Sequence, residues 1–273
     1  MNKSFRKVLA FPYILWMIGF TIIPLSLIFI YGLTDKSGSF TLSNVLAIFA
    51  KDHFKALLLS IALSIISTVI CLVMAFPLAL TLKGKKLNKG SLIVFIFILP
   101  MWMNFLLRTM AWQVLLERGG LINSFFENIG MPGLQIINTP VAVVLGMVYD
   151  YLPFMILPIY NSMIKIENAV IEAAYDLGAT KAKVFKDVIL PLSVPGIASG
   201  ITMVFVPALT TFAISNMLGG GKIYLIGNII EQEFTTTSNW NLGSGLSLVM
   251  MVFILVTMEL MSRLDKDGDG ALI

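Results

Sequence analysis

Six apolar runs leave this chain little choice of fold. They lie at about Val8–Leu33, Ala56–Leu82, Leu92–Leu116, Pro140–Met163, Pro195–Leu218 and Leu242–Met261. A helix needs about 20 apolar residues to cross the hydrocarbon core of a bilayer. Inside that core no water satisfies backbone N–H and C=O groups, so a spanning segment is a helix or part of a closed barrel. The alternating pattern of barrel strands is absent. Only 12% of the residues are charged, against about 25% in a soluble domain, and the mean hydropathy is +0.90. The sequence therefore predicts an all-α membrane protein, a single transmembrane domain over residues 1–273 with six helices.

Lys3, Arg6 and Lys7 precede the first run, as they would in a signal peptide. A signal core is only about 7–15 residues long and ends at a small-residue cleavage site. This run is longer and has no such site, so it is expected to be a retained span. With the N-terminus inside, the inner segments hold Lys3, Arg6, Lys7, Lys83, Lys85, Lys86, Lys89, Lys165, Lys181, Lys183, Lys186, Arg263 and Lys266. The outer segments hold Lys36, Lys51, Lys55, Arg118 and Lys222. Basic residues concentrate in cytoplasmic loops, so both termini are expected in the cytoplasm of a multi-pass protein. The net charge of +4 is read as topology first.

The polar segment 164–194 then faces the cytoplasm. Val170, Ala173, Ala174 and Leu177 fall on one face of a helix over Glu167 to Leu177. Glu172 and Asp176 share the neighbouring face. Gly178 is a helix stop that tolerates positive φ. Thr180 is placed to cap a second helix, with Phe185, Val188 and Ile189 as its apolar face. Pro191 and Pro195 are expected to end it. The result is a helix–Gly–helix hairpin with alanines near its tip and an acidic pair suited to a partner's arginine. On physics alone, the hairpin either docks on a soluble partner or rests on the lipid surface.

The pattern Glu172-Ala173-Ala174, Gly178, Val188, Leu190-Pro191 resembles the loop that marks permease subunits of ABC importers. Val188 stands where that family usually has isoleucine. In the family, the loop forms coupling helices that dock in a groove of the ATPase subunit. The resemblance thus implies an ATPase-coupling role for Glu172, Ala173, Ala174, Gly178, Val188, Leu190 and Pro191, with Asp176 joined to them by its spacing from Glu172. A second set of segments is similar to spermidine/putrescine permeases. It comprises Leu99-Pro100-Met101-Trp102-Met103-Asn104, Leu107-Arg108-Thr109, Ala111-Trp112, Val148-Tyr149, Leu152-Pro153-Phe154-Met155, Leu218-Gly219-Gly220-Gly221-Lys222 and Leu225-Ile226-Gly227-Asn228. This similarity implies the type I ABC importer permease fold in a bacterial cytoplasmic membrane. It implies a second permease subunit, two copies of a cytoplasmic ATPase that bind ATP and Mg, and an extracytoplasmic polyamine-binding protein. It implies neither a cofactor nor covalent chemistry in this chain, and no nucleic-acid partner.

Ionisable groups within spans cost about 2.5–3.5 kcal/mol each on insertion scales and usually face a bundle interior or a path. Arg108, Asp150 and Glu259 stand out. Asp150, between Tyr149 and Tyr151, offers an ammonium an ion pair and aromatic faces. Its alternative is an ion pair with Arg108, which would repel a polycation if it faced the path unpaired. Trp102 and Trp112 are further pathway candidates, with packing or interface anchoring as the more common use of such residues. Glu259 is placed to reach toward Arg263. Pro100, Pro153 and Pro207 are candidate kinks. Gly196 and Gly200 permit a close helix contact, with the second permease as one candidate.

Two motifs fail. Gly219-Gly220-Gly221-Lys222 lacks the glycine six positions before the lysine and the following Ser or Thr of a phosphate loop. The tail Asp265-Lys266-Asp267-Gly268-Asp269-Gly270 holds only half of a calcium loop. Cys71 and His53 are single, so neither a disulfide within the chain nor a Cys/His metal cluster is available.

Overall fold

A computed structural model describes residues 11–84 and 99–270, with side chains up to residue 263. Lys3, Arg6, Lys7, Lys85, Lys86, Lys89 and the first third of the third apolar run lie outside the described residues. Five helices in the described part are long and apolar enough to cross a membrane: α1 (Phe11–Gly32), α3 (Lys51–Lys83), α6 (Pro140–Ile164), α8 (Lys181–Thr210) and α11 (Trp240–Gly270). The shorter helices are α2 (Ser43–Leu46), α4 (Phe105–Leu116), α5 (Leu121–Asn128), α7 (Asn168–Asp176), α9 (Ala213–Gly219) and α10 (Ile226–Thr235).

Two apolar runs are broken where hydropathy shows no interruption. In the third, Leu99–Trp102 form a 3-10 turn containing Pro100, so this proline sits in a turn and does not kink a helix. The chain restarts at α4, where the Asn104 side chain accepts from Leu106 N at 2.9 Å. At 12 residues, α4 rises only about 18 Å. The fifth run breaks after α8. Thr211 is extended, and α9 begins after it.

The break at 211–212 exposes backbone groups that a bilayer would leave unsatisfied. Asn228, 2% exposed, closes it. Its amide donates to Phe212 O at 3.0 Å and Asn216 Oδ1 at 2.7 Å. Its Oδ1 accepts from Ser215 Oγ at 2.6 Å and Leu225 N at 2.9 Å. Ser60 Oγ of α3 accepts from Ile226 N at 2.8 Å.

Pro191 and Pro195 do not end a helix. α8 runs through both, because Phe185–Ile189 form a wider π turn, closed by Leu190 N–H onto Phe185 O. Winding one extra residue into the turn accommodates the missing proline donor and its ring without a stop. Pro153 lies inside α6, and Pro207 lies near the end of α8.

The described residues divide into two compact units, the first ending at residue 57 and resuming over 229–253, the second running from 58 to 228 and resuming at 254. In the first, Gly32 meets Leu248, and Gly245 meets Asn44. The Asn241 and Asn44 amides both donate to Thr34 O, at 2.7 and 2.8 Å. In the second, one core gathers Leu63, Leu116, Val143, Met147, Ile214 and Leu218. The other gathers Cys71, Ala75, Met155, Ile159 and Val204. The long α6 and α8 pack together through Gly196 and Gly200, so this small-residue pair serves a contact within the chain.

A Cβ on Gly196 would stand 2.5 Å from Ser162 Cβ and 2.6 Å from Pro158 O. Gly196→Leu is therefore expected to cost about 1–3 kcal/mol or more by overpacking. Gly19→Leu, with nothing within 4 Å, should cost little. Melting of the two variants in detergent checks this. Equal melting temperatures would contradict the close seam.

Candidate functional site: a polar hairpin and a buried ion pair

The hairpin forms largely as its residues dictate. Helix α7 ends in a complete Schellman motif. Ala179 N donates to Ala174 O at 3.0 Å, and Gly178 N donates to Tyr175 O at 2.8 Å. Gly178 has φ +81°, which a side chain would strain. Thr180 caps α8, its hydroxyl accepting from Lys183 N at 3.4 Å.

The base of the hairpin is anchored within the second unit. Val184 is buried, and Phe185 meets Phe76 of α3 edge-on at 5.7 Å. Lys83 Nζ donates to Ile166 O at 3.0 Å, and Ser162 Oγ donates to Leu192 O at 3.1 Å. The tip is uncovered. Glu172, Ala173, Asp176 and Pro191 are exposed, Ala174 and Val188 are half-buried, and Leu190 is just exposed. Leu177 stands 89% exposed beside Val170 at 45%. The apolar face expected on α7 is therefore present and has no cover among the described residues. Sequence reasoning placed Leu177 on that face without singling it out. The same reasoning missed Lys83 as an anchor, although a lysine closing a long apolar run was the available signal.

Within the second unit, α4 and α6 bring Arg108 against Asp150, the pairing weighed above as the alternative to a pathway carboxylate. Arg108 Nη2 lies 3.3 Å from Asp150 Oδ1. Thr109 Oγ1 donates to Asp150 Oδ2 at 3.0 Å. The guanidinium carbon sits 5.9 Å from the Tyr149 ring centre, and Trp112 meets Tyr149 edge-on at 5.4 Å. Four of the singled-out residues, Arg108, Trp112, Tyr149 and Asp150, thus form one cluster. Tyr151 points elsewhere, its hydroxyl donating to Pro207 O at 3.4 Å. Trp102, 76% exposed on its 3-10 turn, stands apart from them in the chain. Glu259 pairs with Arg263 at 3.1 Å on an exposed face of α11. Gly220 and Gly221, with φ +54° and +69°, form the turn after α9. The backbone of the acidic tail is helical to Gly270.

The sequence matches the family model of the binding-protein-dependent transport system inner membrane component over residues 44–267. The chain belongs to this family. Among its relatives, the spermidine/putrescine transport system permease protein PotB of Haemophilus influenzae is 34% identical over 97% of this chain and 96% of that protein. PotB of Escherichia coli is 35% identical over 87% of this chain and 89% of that protein. Among solved structures, a bacterial ABC transporter involved in the import of the acidic polysaccharide alginate superposes with a TM-score of 0.81. It is 17% identical, over 97% of this chain and 96% of that one. The MetNI methionine ABC transporter gives 0.56 at 18% identity, over 79% of this chain and 95% of that one. This inner-membrane component therefore has the ABC importer permease fold. As its relatives are permease proteins, it is a non-catalytic transport subunit.

Gly178→Val would meet no neighbour within 4 Å but would force a branched residue toward left-handed backbone, at about 1–2 kcal/mol. The expected result is normal insertion and a several-fold loss of transport per inserted molecule. Unchanged transport in a reconstituted uptake assay would contradict a need for this turn.

Proposed function

We propose that this chain is the permease subunit of an ATP-driven polyamine importer, taking spermidine or putrescine. Its whole length acts as one transmembrane domain, with both termini and the loop 164–194 in the cytoplasm. It pairs with a second permease subunit. Two copies of an ABC ATPase, which hold ATP and Mg, grip the pair from the cytoplasm, and an extracytoplasmic polyamine-binding protein delivers cargo. The cargo assignment is supported by the identity to the two PotB relatives over nearly the whole chain.

The observation that carries the coupling role is the uncovered tip. A helix stopped by a fixed Schellman turn presents Leu177 at 89% exposure. Apolar surface held rigidly outward gains from entering a groove of a partner. Ala173 and Ala174 let the groove wall approach closely, and Glu172 and Asp176 offer carboxylates to its basic residues. Val188, Leu190 and Pro191 carry the movement into α8. In the bilayer, Tyr149, Asp150 and Trp112 border the cargo path, with Tyr151 and Trp102 as its further members.

Labelled spermidine uptake, with putrescine as competitor, tests both parts in cells lacking their own polyamine importers. The cells express this chain with its neighbouring transporter genes. Uptake is expected for the unaltered chain and is expected to vanish for Glu172→Lys at equal membrane abundance. Normal uptake by Glu172→Lys would sink the coupling role. No uptake by the complete unaltered assembly would move the cargo away from polyamines.

A further inference from the structure

Arg108 and Asp150 are nearly shut off from the surface, at 6% and 2% exposure. An arginine–carboxylate pair built for strength is bidentate, with two parallel N–H···O bonds. This pair has one approach, Nη2 to Oδ1 at 3.3 Å. Oδ1 accepts no directed hydrogen bond, and Nε and Nη1 of Arg108 have no hydrogen-bond partner among the described residues. The other carboxylate oxygen lies 3.0 Å from Thr109 Oγ1, a hydroxyl that shares its one hydrogen with Phe105 O at 2.9 Å. The guanidinium is therefore held by a single approach, with two of its donors open.

The surroundings suit a cation that comes and goes. The Tyr149 ring faces Arg108 and is itself 38% exposed. Trp112 stands edge-on to it. A buried carboxylate beside a partly exposed aromatic ring is a binding set for an organic ammonium. The tethered guanidinium occupies that set in this structure.

We propose that Asp150, Tyr149 and Trp112 form an ammonium-binding station for the cargo, and that Arg108 fills it as a tethered competitor between passages of cargo. This rests on the polyamine reading above. The competition has a use. A lone carboxylate in the membrane interior would hold a polycation too long, and a bound guanidinium lowers that affinity without removing the charge that attracts cargo. The open donors on Nε and Nη1 leave Arg108 able to take other acceptors when it is displaced.

The test is equilibrium binding of labelled spermidine to the purified permease–ATPase complex, without binding protein. Arg108→Gln is expected to tighten binding about tenfold, and adding Asp150→Asn is expected to abolish the gain. Equal binding in unaltered, single and double variants would overturn the proposal. Should Arg108→Gln not assemble, the charge-free pair Arg108→Gln/Asp150→Asn is read in proteoliposomes. Maximal spermidine uptake should fall about tenfold while ATP hydrolysis stimulated by the loaded binding protein persists. Uptake at the unaltered rate, or parallel loss of uptake and hydrolysis, would overturn the proposal. No uptake by the unaltered complex would overturn the cargo reading and this inference with it.

Discussion

A bilayer core supplies no hydrogen bonds, so every place where a helix stops within it must be closed by the protein itself. Among the described residues, two apolar runs are interrupted, and an asparagine bonds at each interruption. Asn104 caps α4 and so sets Arg108 one turn into that helix, against Asp150 of α6. Asn228 donates to Phe212 O at the break and ties Ser215, Asn216 and Leu225 together beside it. Without these closures the short helices α4 and α9 would have no fixed place beside α6, and the cluster of Arg108, Asp150, Tyr149 and Trp112 would have no frame.

The same unit joins the paired long helices to the hairpin. Glycines at 196 and 200 bring α8 onto α6 with almost no spacing, and the hairpin is the direct continuation of both helices. Its base is pinned through Lys83, Phe185 and Ser162, while its tip is free. In the proposed coupling role, a hairpin fixed at one end and uncovered at the other would pass displacement of its tip into the paired helices. A hairpin lying on lipid would instead bury its apolar face there. Its exposed Glu172 and Asp176 would then face anionic headgroups.

Much of this was legible in the sequence, where the signal was periodic or local. Runs of apolar residues located the spans, and Gly178 and Thr180 marked the turn of the hairpin by their backbone chemistry. The breaks were illegible because hydropathy averages over Asn104, Thr211 and Phe212. Asn228 was visible only as part of a family-like segment, since its partners come from several elements. Pro191 and Pro195 misled because a π turn is a cooperative adjustment that no residue announces. The Gly196 and Gly200 pair signalled close contact but not with which helix. The pairing of Arg108 with Asp150 was one of two readings of these charges, and it takes the packing of α4 on α6 to bring the two together.

The most direct measurement places a photo-reactive benzophenone side chain at position 177 in cells expressing the full transporter. Irradiation is predicted to join this chain to the ATPase subunit in high yield, with little adduct to lipid. Adducts to lipid alone, or to the extracytoplasmic binding protein, would contradict a permease driven through its cytoplasmic hairpin.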